Sequence, residues 1–385
     1  VTGVNTKVLE ASISPPAIRQ LPSPRCIMHV TWSMVAGGAE VYALTLLRNL
    51  QPDQFRGAIC AIDQGGALEP EFRRLGIPCH IMHRKPGIEW SLIWRLYRLF
   101  RDEQVDVVHT HHFNQIFYSA LAARLAGARL VHTEHSVELY GRPRRRIALR
   151  LLSMLCQQVL AVGDDVRQFL IDGVGIAPGK VGVINVGVDV PRESVSRLAA
   201  RRSLGLDPHA RIVVIIARLY PEKNHGLLLR AFARVTGRLP DARLLIVGGG
   251  VEEQSIRRQI AELGLSENVD VLGVRRDIDK ILTASDLVAL TSDREGLPIA
   301  VLEAMALARP VVVTAVGELP AIVNDGTSGR VVPPADEAKL ADAIYELLCN
   351  PPLCAEMGEN GRRFVAERFN IKDMIDSHQA IYRAR

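Results

Sequence analysis

The chain has 385 residues, of which 48% are hydrophobic, 23% charged and 5% aromatic, and its formal net charge is +5. That composition excludes a disordered or fibrous chain, and the modest charge gives no ground for a nucleic-acid partner while suiting a phosphate-bearing ligand or an anionic membrane surface. The length exceeds the usual single domain, so two domains with separate cores and a cleft between them are expected.

Residues 1–24 carry Pro15, Pro16, Pro22 and Pro24 and no periodic apolar pattern, and read as a disordered leader. No apolar run reaches membrane-span length and no signal-peptide pattern opens the chain, which predicts a cytoplasmic location. From Cys26 onward short β-rich runs alternate with amphipathic stretches, with strands predicted over 27–31, 58–62, 79–82, 105–109, 130–133 and 159–162. The pattern restarts after the charged stretch 191–202, with strands over 212–216, 244–247, 269–272, 287–290 and 311–313. This alternation predicts an α/β fold of two Rossmann-like, doubly wound domains facing a cleft, 25–190 and 191–370. The tail from Pro352 reads as helical, and its last part, 371–385, is long enough to reach back onto the first domain. In such sheets ligands sit beyond the carboxyl ends of the strands.

In the first half, the strand over 27–31 leads through Gly37 and Gly38 into an apolar-periodic helix. A glycine loop at a helix N-terminus suits phosphate or sugar oxygens, or a tight turn alone. The segment 89–101 combines Trp90, Trp94, Tyr97 and Phe100 with Arg95, Arg98 and Arg101, and 141–152 sets a basic run before an apolar helix. Both suit an anionic bilayer surface, or else a core-facing amphipathic helix and solvated arginines. His109, His111 and His112 close one predicted strand, and His132 and His135 the next, so adjacent strand ends would gather them at the cleft. Imidazoles bonded within the core are the commoner outcome, and no companion ligands at zinc spacing follow, so no metal is expected. The six cysteines, Cys26, Cys60, Cys79, Cys156, Cys349 and Cys354, read as buried small hydrophobes.

In the second half, the strand over 212–216 runs directly into a loop carrying Arg218 and Lys223. Fixed cations there would stabilise the charge that develops on a departing diphosphate. The strand over 244–247 leaves through Gly248, Gly249 and Gly250 without the full dinucleotide fingerprint, which disfavours a dehydrogenase. Asp277 and Asp279 begin a helix, where acids favour the dipole, and are read as structural rather than as metal ligands. Glu295 precedes Gly296-Leu297-Pro298 and an apolar helix that carries Glu303, eight positions on. Two such carboxylates could grip two sets of sugar hydroxyls; in isolation they would be a helix cap and a surface charge.

Glutamates separated by seven residues with Gly-Leu-Pro after the first, the block 217–224 and the Gly37-Gly38 loop together resemble the retaining family 4, or group 1, glycosyltransferases of the GT-B fold. The resemblance covers nearly the whole chain beyond the leader. It implies transfer of a hexosyl group from a nucleotide sugar, UDP-linked, to an acceptor hydroxyl, with retention and with neither metal nor cofactor. The acceptor expected is a carbohydrate or lipid-linked sugar of polysaccharide, lipopolysaccharide or glycolipid synthesis, and the segments 89–101 and 141–152 suggest a membrane-bound or lipid-linked one, met by peripheral contact with the cytoplasmic face of the membrane. By the same resemblance Glu295, Gly296, Leu297 and Pro298 line the donor sugar, Glu303 holds the ribose, and Arg218 and Lys223 hold the diphosphate. Val274, Arg275 and Arg276 face the base beside Gly248, while His135 and His111 stand on the acceptor side. Ala217, Ala308 and Glu318 depart from positions where the family commonly has glycine. Two rivals stay open: a sugar-nucleotide epimerase of the same architecture, and a non-catalytic donor-binding subunit.

Overall fold

The computed structural model describes residues 24–35, 37–135, 141–189, 196–296 and 298–384. The leader through residue 23, part of the linker (190–195) and Leu297 lie outside the described residues.

The first unit comprises β1 (Arg25–Ser33), α1 (Gly38–Arg48), β2 (Phe55–Gln64), α2 (Glu69–Arg74), β3 (Cys79–Ile81), α3 (Ser91–Asp102), β4 (Val107–His111), α4 (His112–Ala126), β5 (Arg129–Glu134), α5 (Pro143–Ser153), β6 (Gln158–Ala161), α6 (Asp164–Gln168) and β7 (Val181–Val183). The second comprises α7 (Arg197–Ser203), β8 (Arg211–Ile216), α8 (His225–Thr236), β9 (Ala242–Val247), α9 (Glu253–Glu262), β10 (Val269–Gly273), α10 (Ile278–Ala284), β11 (Leu287–Leu290), α11 (Ile299–Ala306), β12 (Val311–Thr314), α12 (Leu319–Ile322), β13 (Gly329–Val332), α13 (Glu337–Cys349) and α14 (Pro351–Arg368). A final helix, α15 (Ile371–Arg383), closes the chain.

Both sheets are parallel, with strand orders β3-β2-β1-β4-β5-β6-β7 and β10-β9-β8-β11-β12-β13. Helices cover both faces, which is why central strands read as continuous apolar runs: Ile212 to Ile215 of β8 and all of β11 are buried. Each valine, leucine or isoleucine among them removed from water contributes about 1.5–3 kcal/mol. The order reverses between β1 and β4 in the first sheet and between β8 and β11 in the second. Those switch points are where a doubly wound sheet opens a crevice beyond its strand ends.

Several elements differ from the sequence expectation. The fourth strand runs to His111, so His109 lies inside the sheet rather than at its end. β7 and β13 were not anticipated, and the helical tail is broken into α14 and α15 by Phe369 and Asn370, where the Asn370 side chain caps α15 by accepting from Lys372 N. Cys349 is exposed, unlike the other cysteines, because it lies at the end of α13.

The α15 helix packs on the first sheet, not the second. Tyr382 is buried among Ile27, Phe55, Val107, Val131 and Leu160. Arg129 and Arg25 donate to the Tyr382 carbonyl at 2.6 and 2.7 Å, which ties down the helix end. The two chain crossings between the domains run side by side, since Val188 N donates to Phe369 O at 2.8 Å and Val188 bridges Asn370 in parallel.

Candidate active site

The loops that leave β8 and β11 meet at the second switch point. Asp293 N donates to Glu222 O at 2.9 Å, and Thr291 Oγ1 donates to the carbonyls of Lys223 and Asn224 at 3.2 and 3.1 Å. Asn224 holds the turn into α8 in the left-handed region (φ 46°), its side chain accepting from Leu227 N and donating to Asp293. These contacts bring Lys223 to Glu295: Nζ donates to Oε2 at 2.6 Å, and Ser292 Oγ donates to the same oxygen at 2.7 Å. The pair is mostly removed from solvent, with side-chain exposures of 14% and 10%. Arg218 is half exposed, pairs with Glu222 at 3.1 Å and lies over the Tyr220 ring.

Close backbone approach requires glycine at positions 248 and 317. A Cβ on Gly248 (φ 144°) would lie 1.9 Å from Ala217 O, so this glycine seats the loop that carries Arg218. A Cβ on Gly317 (φ 52°) would lie 1.8 Å from Glu295 O, so the loop after β12 presses on the Glu295 turn. Gly296 follows Glu295 in that turn, and Pro298 is the residue before α11, whose first helical residue is Ile299.

Glu303 is half-buried rather than solvated. Burial, with Asp279 adding to it, pushes its carboxyl up to about 7. Asp277 is held by Arg275 through two bonds of 2.8 and 2.6 Å, so the guanidinium between Val274 and Arg276 is committed within its own loop. Val274 is exposed at 64% and borders Gly249.

Across the cleft stands the first domain's switch point. Gly37 caps α1, and Ile299 of α11 lies 3.8 Å from where a side chain on Gly38 would begin. Glu40, in the first turn of α1, has its carboxyl raised by burial against the pull of His112 and, from the opposite domain, Arg218. Glu318 reaches over to Gly163, and burial together with Asp165 and Asp164 raises its carboxyl as well.

His111 and His135 are brought together, Nδ1 to Nε2 at 3.0 Å, and burial holds both well below the ordinary imidazole range. Tyr42 of α1 sets its ring edge-on to His135 with centroids 5.1 Å apart. His112 opens α4 with a left-handed backbone (φ 64°), a strained position for a residue with a side chain. Its Nδ1 lies 3.2 Å from Oε1 of the fully buried Glu134. Burial opposes the charged ring of His112, but the Glu134 carboxylate outweighs it and raises the imidazole.

Sequence reasoning missed Ser292, Glu40, Glu134 and Tyr42. Glu40 and Glu134 each adjoin a motif that was read, and an acid beside a glycine loop or a strand-end histidine was the available signal. Nothing local marks Ser292 or Tyr42. Phe100, expected with the aromatic surface set, points into the core, whereas Trp90 and Trp94 are exposed at 67% and 51%. Among the described residues no helix is long and apolar enough to cross a membrane.

Known proteins share this fold. The model of glycosyl transferases group 1 matches residues 196–364, and that of glycosyltransferase family 4 matches residues 36–192. The chain is 27% identical over 372 residues to an Escherichia coli UDP-Gal:alpha-D-GlcNAc-diphosphoundecaprenol alpha-1,3-galactosyltransferase, covering 92% of this chain and 96% of that protein. It is 31% identical over 301 residues to a Saccharomonospora viridis D-inositol 3-phosphate glycosyltransferase, covering 72% of this chain and 70% of that protein. In fold it is similar to Anabaena Alr3699/HepE, solved in complex with UDP and glucose, with a TM-score of 0.81 and 23% identity over 93% of this chain and 99% of that one. Two parallel sheets opposed at their switch points, with matches to both halves, make the chain a member of the group 1 glycosyltransferases of the GT-B fold, enzymes that use nucleotide sugars.

Proposed function

We propose that this protein transfers a hexosyl group from a UDP-linked donor to a hydroxyl of a lipid-linked acceptor, with retention at the anomeric carbon and without a metal. The Lys223–Glu295 pair carries the reading. Oε2 of Glu295 takes both internal bonds, which leaves Oε1 to accept from donor-sugar hydroxyls, and Lys223 then lies beside the diphosphate with Arg218. As the bond from C1 to the diphosphate oxygen breaks, these cations stabilise the leaving charge, the acceptor oxygen bonds to C1, and its proton passes to the leaving phosphate. Two cations at that point serve in place of a divalent ion, and Asp277 of the Asp277-x-Asp279 pair is spent on Arg275. Glu303 accepts from the ribose, Val274 to Arg276 border the base, Gly37 and Gly38 approach the donor from the other side, and His135 and His111 line the acceptor side.

The relatives' names support a UDP donor and, in the Escherichia coli case, a diphosphoundecaprenol-linked acceptor. The first domain supports a membrane-side acceptor: Trp90, Trp94, Leu121, Leu125, Ile147, Leu151 and Met154 are exposed on α3, α4, α5 and their ends, interspersed with arginines. Apolar side chains amid arginines suit the cytoplasmic, anionic face of a bilayer, as expected in cell-surface polysaccharide or glycolipid synthesis.

Thermal shift against UDP, GDP, ADP and CDP sugars, with and without chelator, tests the donor. A UDP sugar at a hundredfold excess over its Kd is expected to add about 2.7 kcal/mol, unchanged by chelator. A chelator-sensitive shift would refute metal independence, and a shift with another base alone would refute the UDP assignment. Co-sedimentation with vesicles containing anionic lipid is expected for the wild type and lost in Trp90→Ser/Trp94→Ser/Leu151→Ser; equal binding by both proteins would sink the membrane reading.

A further inference from the structure

The first sheet buries a chain of rings that runs from α15 to the candidate site. Thr133 Oγ1 lies 2.7 Å from His109 Nε2, and His109 Nδ1 lies 2.6 Å from the Tyr382 hydroxyl. That hydroxyl lies 3.3 Å from His29 Nε2, and His29 Nδ1 lies 2.9 Å from His111 Nε2. His111 Nδ1 then meets His135 Nε2 at 3.0 Å. His29, His109, His111 and Tyr382 are fully buried. A neutral imidazole has one N–H and one lone pair, and the Tyr382 hydroxyl, which lies between His109 and His29, must give its own hydrogen to whichever of the two does not donate to it, so in such a chain the direction of one bond fixes every other.

The imidazoles are neutral: burial lowers His29 to about 3 and holds His109, His111 and His135 well below the ordinary range. The neighbouring titratable groups are His112 and Glu134, which bond to each other, and His132, whose Nδ1 bonds to Thr110 and whose Nε2 lies 3.6 Å from Glu134. His378 is also neutral, lowered to about 4, and donates from Nδ1 to Met374 O, so its Nε2 accepts from Tyr42. Among the described residues Thr133 Oγ1 has no other hydrogen-bonding partner. If the chain ran toward Thr133, that hydroxyl hydrogen would be buried without an acceptor, which is unfavourable. Run the other way, Thr133 donates to His109, His109 to Tyr382, Tyr382 to His29, His29 to His111, and His111 to His135.

We propose that His109, Tyr382, His29 and His111 are positioning residues that fix the proton of His135 on Nδ1, so that α15 sets the hydrogen-bonding character of the acceptor side. His135 then offers a donor to a sugar oxygen rather than a base to a hydroxyl. The functional consequence rests on the reading that His135 faces the donor sugar and acceptor. His29, His109 and His111 also bring three nitrogens within 4.8 Å of one another, a spacing a metal could use. Each of their nitrogens is already engaged by a ring, the phenol or Thr133, and these bonds account for the cluster.

The test is long-range 1H–15N NMR of the full chain labelled at histidine, with His135 assigned through His135→Gln. The expected result is Nδ1–H on His29, His109, His111 and His135 alike, the minor tautomer of imidazole in water. Tyr382→Phe removes the phenol bridge and is expected to shift the His135 tautomer ratio by about fivefold or more, the worth of one neutral hydrogen bond. Thr133→Val, a smaller perturbation, is expected to shift it in the same direction. A wild-type His135 protonated on Nε2, or a ratio unmoved in both variants, would overturn the proposal. So would stoichiometric Zn2+ or Co2+ binding that shifts the His29, His109 and His111 signals. Adding UDP-galactose or UDP-glucose separates the two readings: if the tautomers are as expected but neither sugar nucleotide moves His135, the chain stands and the assignment of His135 to the site fails. If the sugar nucleotide moves His135 while Tyr382→Phe leaves its tautomer alone, the site stands and the chain fails.

Discussion

Removing the ammonium of Lys223 strands a carboxylate. In the native protein Glu295 Oε2 takes one bond of 2.6 Å from Lys223 and one of 2.7 Å from Ser292, with only 10% of the side chain exposed. Breaking a buried ion pair costs about 3–5 kcal/mol, because the remaining charge keeps its desolvation without its partner. The residual exposure on both side chains places Lys223→Met at the lower end, about 3 kcal/mol, with methionine keeping the apolar stem. For a domain of this size that corresponds to a fall in Tm of roughly 6–12 °C. Glu295→Gln relieves the stranded charge, so the double variant Lys223→Met/Glu295→Gln is expected to be more stable than Lys223→Met alone. Calorimetry of the four proteins gives the coupling directly. Single-variant losses that add within about 0.5 kcal/mol in the double variant would show the two side chains to be independent, and the reasoning would fail. UDP-sugar stabilisation should vanish in Lys223→Met at concentrations that saturate the wild type.

Three further outcomes follow from the same geometry. If the raised carboxyl of Glu303 must ionise to accept from a ribose, binding releases a proton, so the Kd for UDP should rise up to about tenfold per pH unit below 7; calorimetric titration of Glu303→Gln should be flat over that range, and a sloping profile there refutes the assignment. Glu134 is depressed and His112 raised, so their pairing contributes above about pH 4.5 and fades as pH rises through the raised histidine value; urea melts should place Glu134→Gln furthest below wild type near pH 5–6, and a gap that is constant to pH 9 contradicts the pairing. Gly317→Ala would place Cβ 1.8 Å from Glu295 O, so the loops must separate; loss of UDP-sugar stabilisation with the first domain still folded, read by limited proteolysis, is expected, whereas full retention would show that the turn yields.

The parts of this molecule legible in its sequence are those written locally. Central strands announce themselves because burial on both faces forces continuous apolar runs, and β7 and β13 escape because they are only 3 and 4 residues long and contain glycine. Arg218, Lys223 and Glu295 were visible in loops that follow strand ends and Glu303 in the helix that follows Glu295, each within a recognisable block. That Lys223 and Glu295 bond each other was not, since 72 positions separate them and only the pairing of β8 with β11 brings their loops together. The ring chain is less legible still: His109 and Tyr382 are 273 positions apart, and a tyrosine on a terminal helix has no local pattern that names its partner.

The bridge between Val188 and Asn370 makes the connection between the domains a strap of two cords rather than a single thread. A single thread permits twist as readily as bend, whereas two cords laced by the bond from Val188 to Phe369 resist twisting and leave one soft axis, along which the cleft widens or narrows. The hinge such a connection favours is that of a book on its spine. Because the second cord ends in α15, whose Tyr382 stands in the ring chain, the binding that holds the book together also reaches the histidines proposed to face the acceptor.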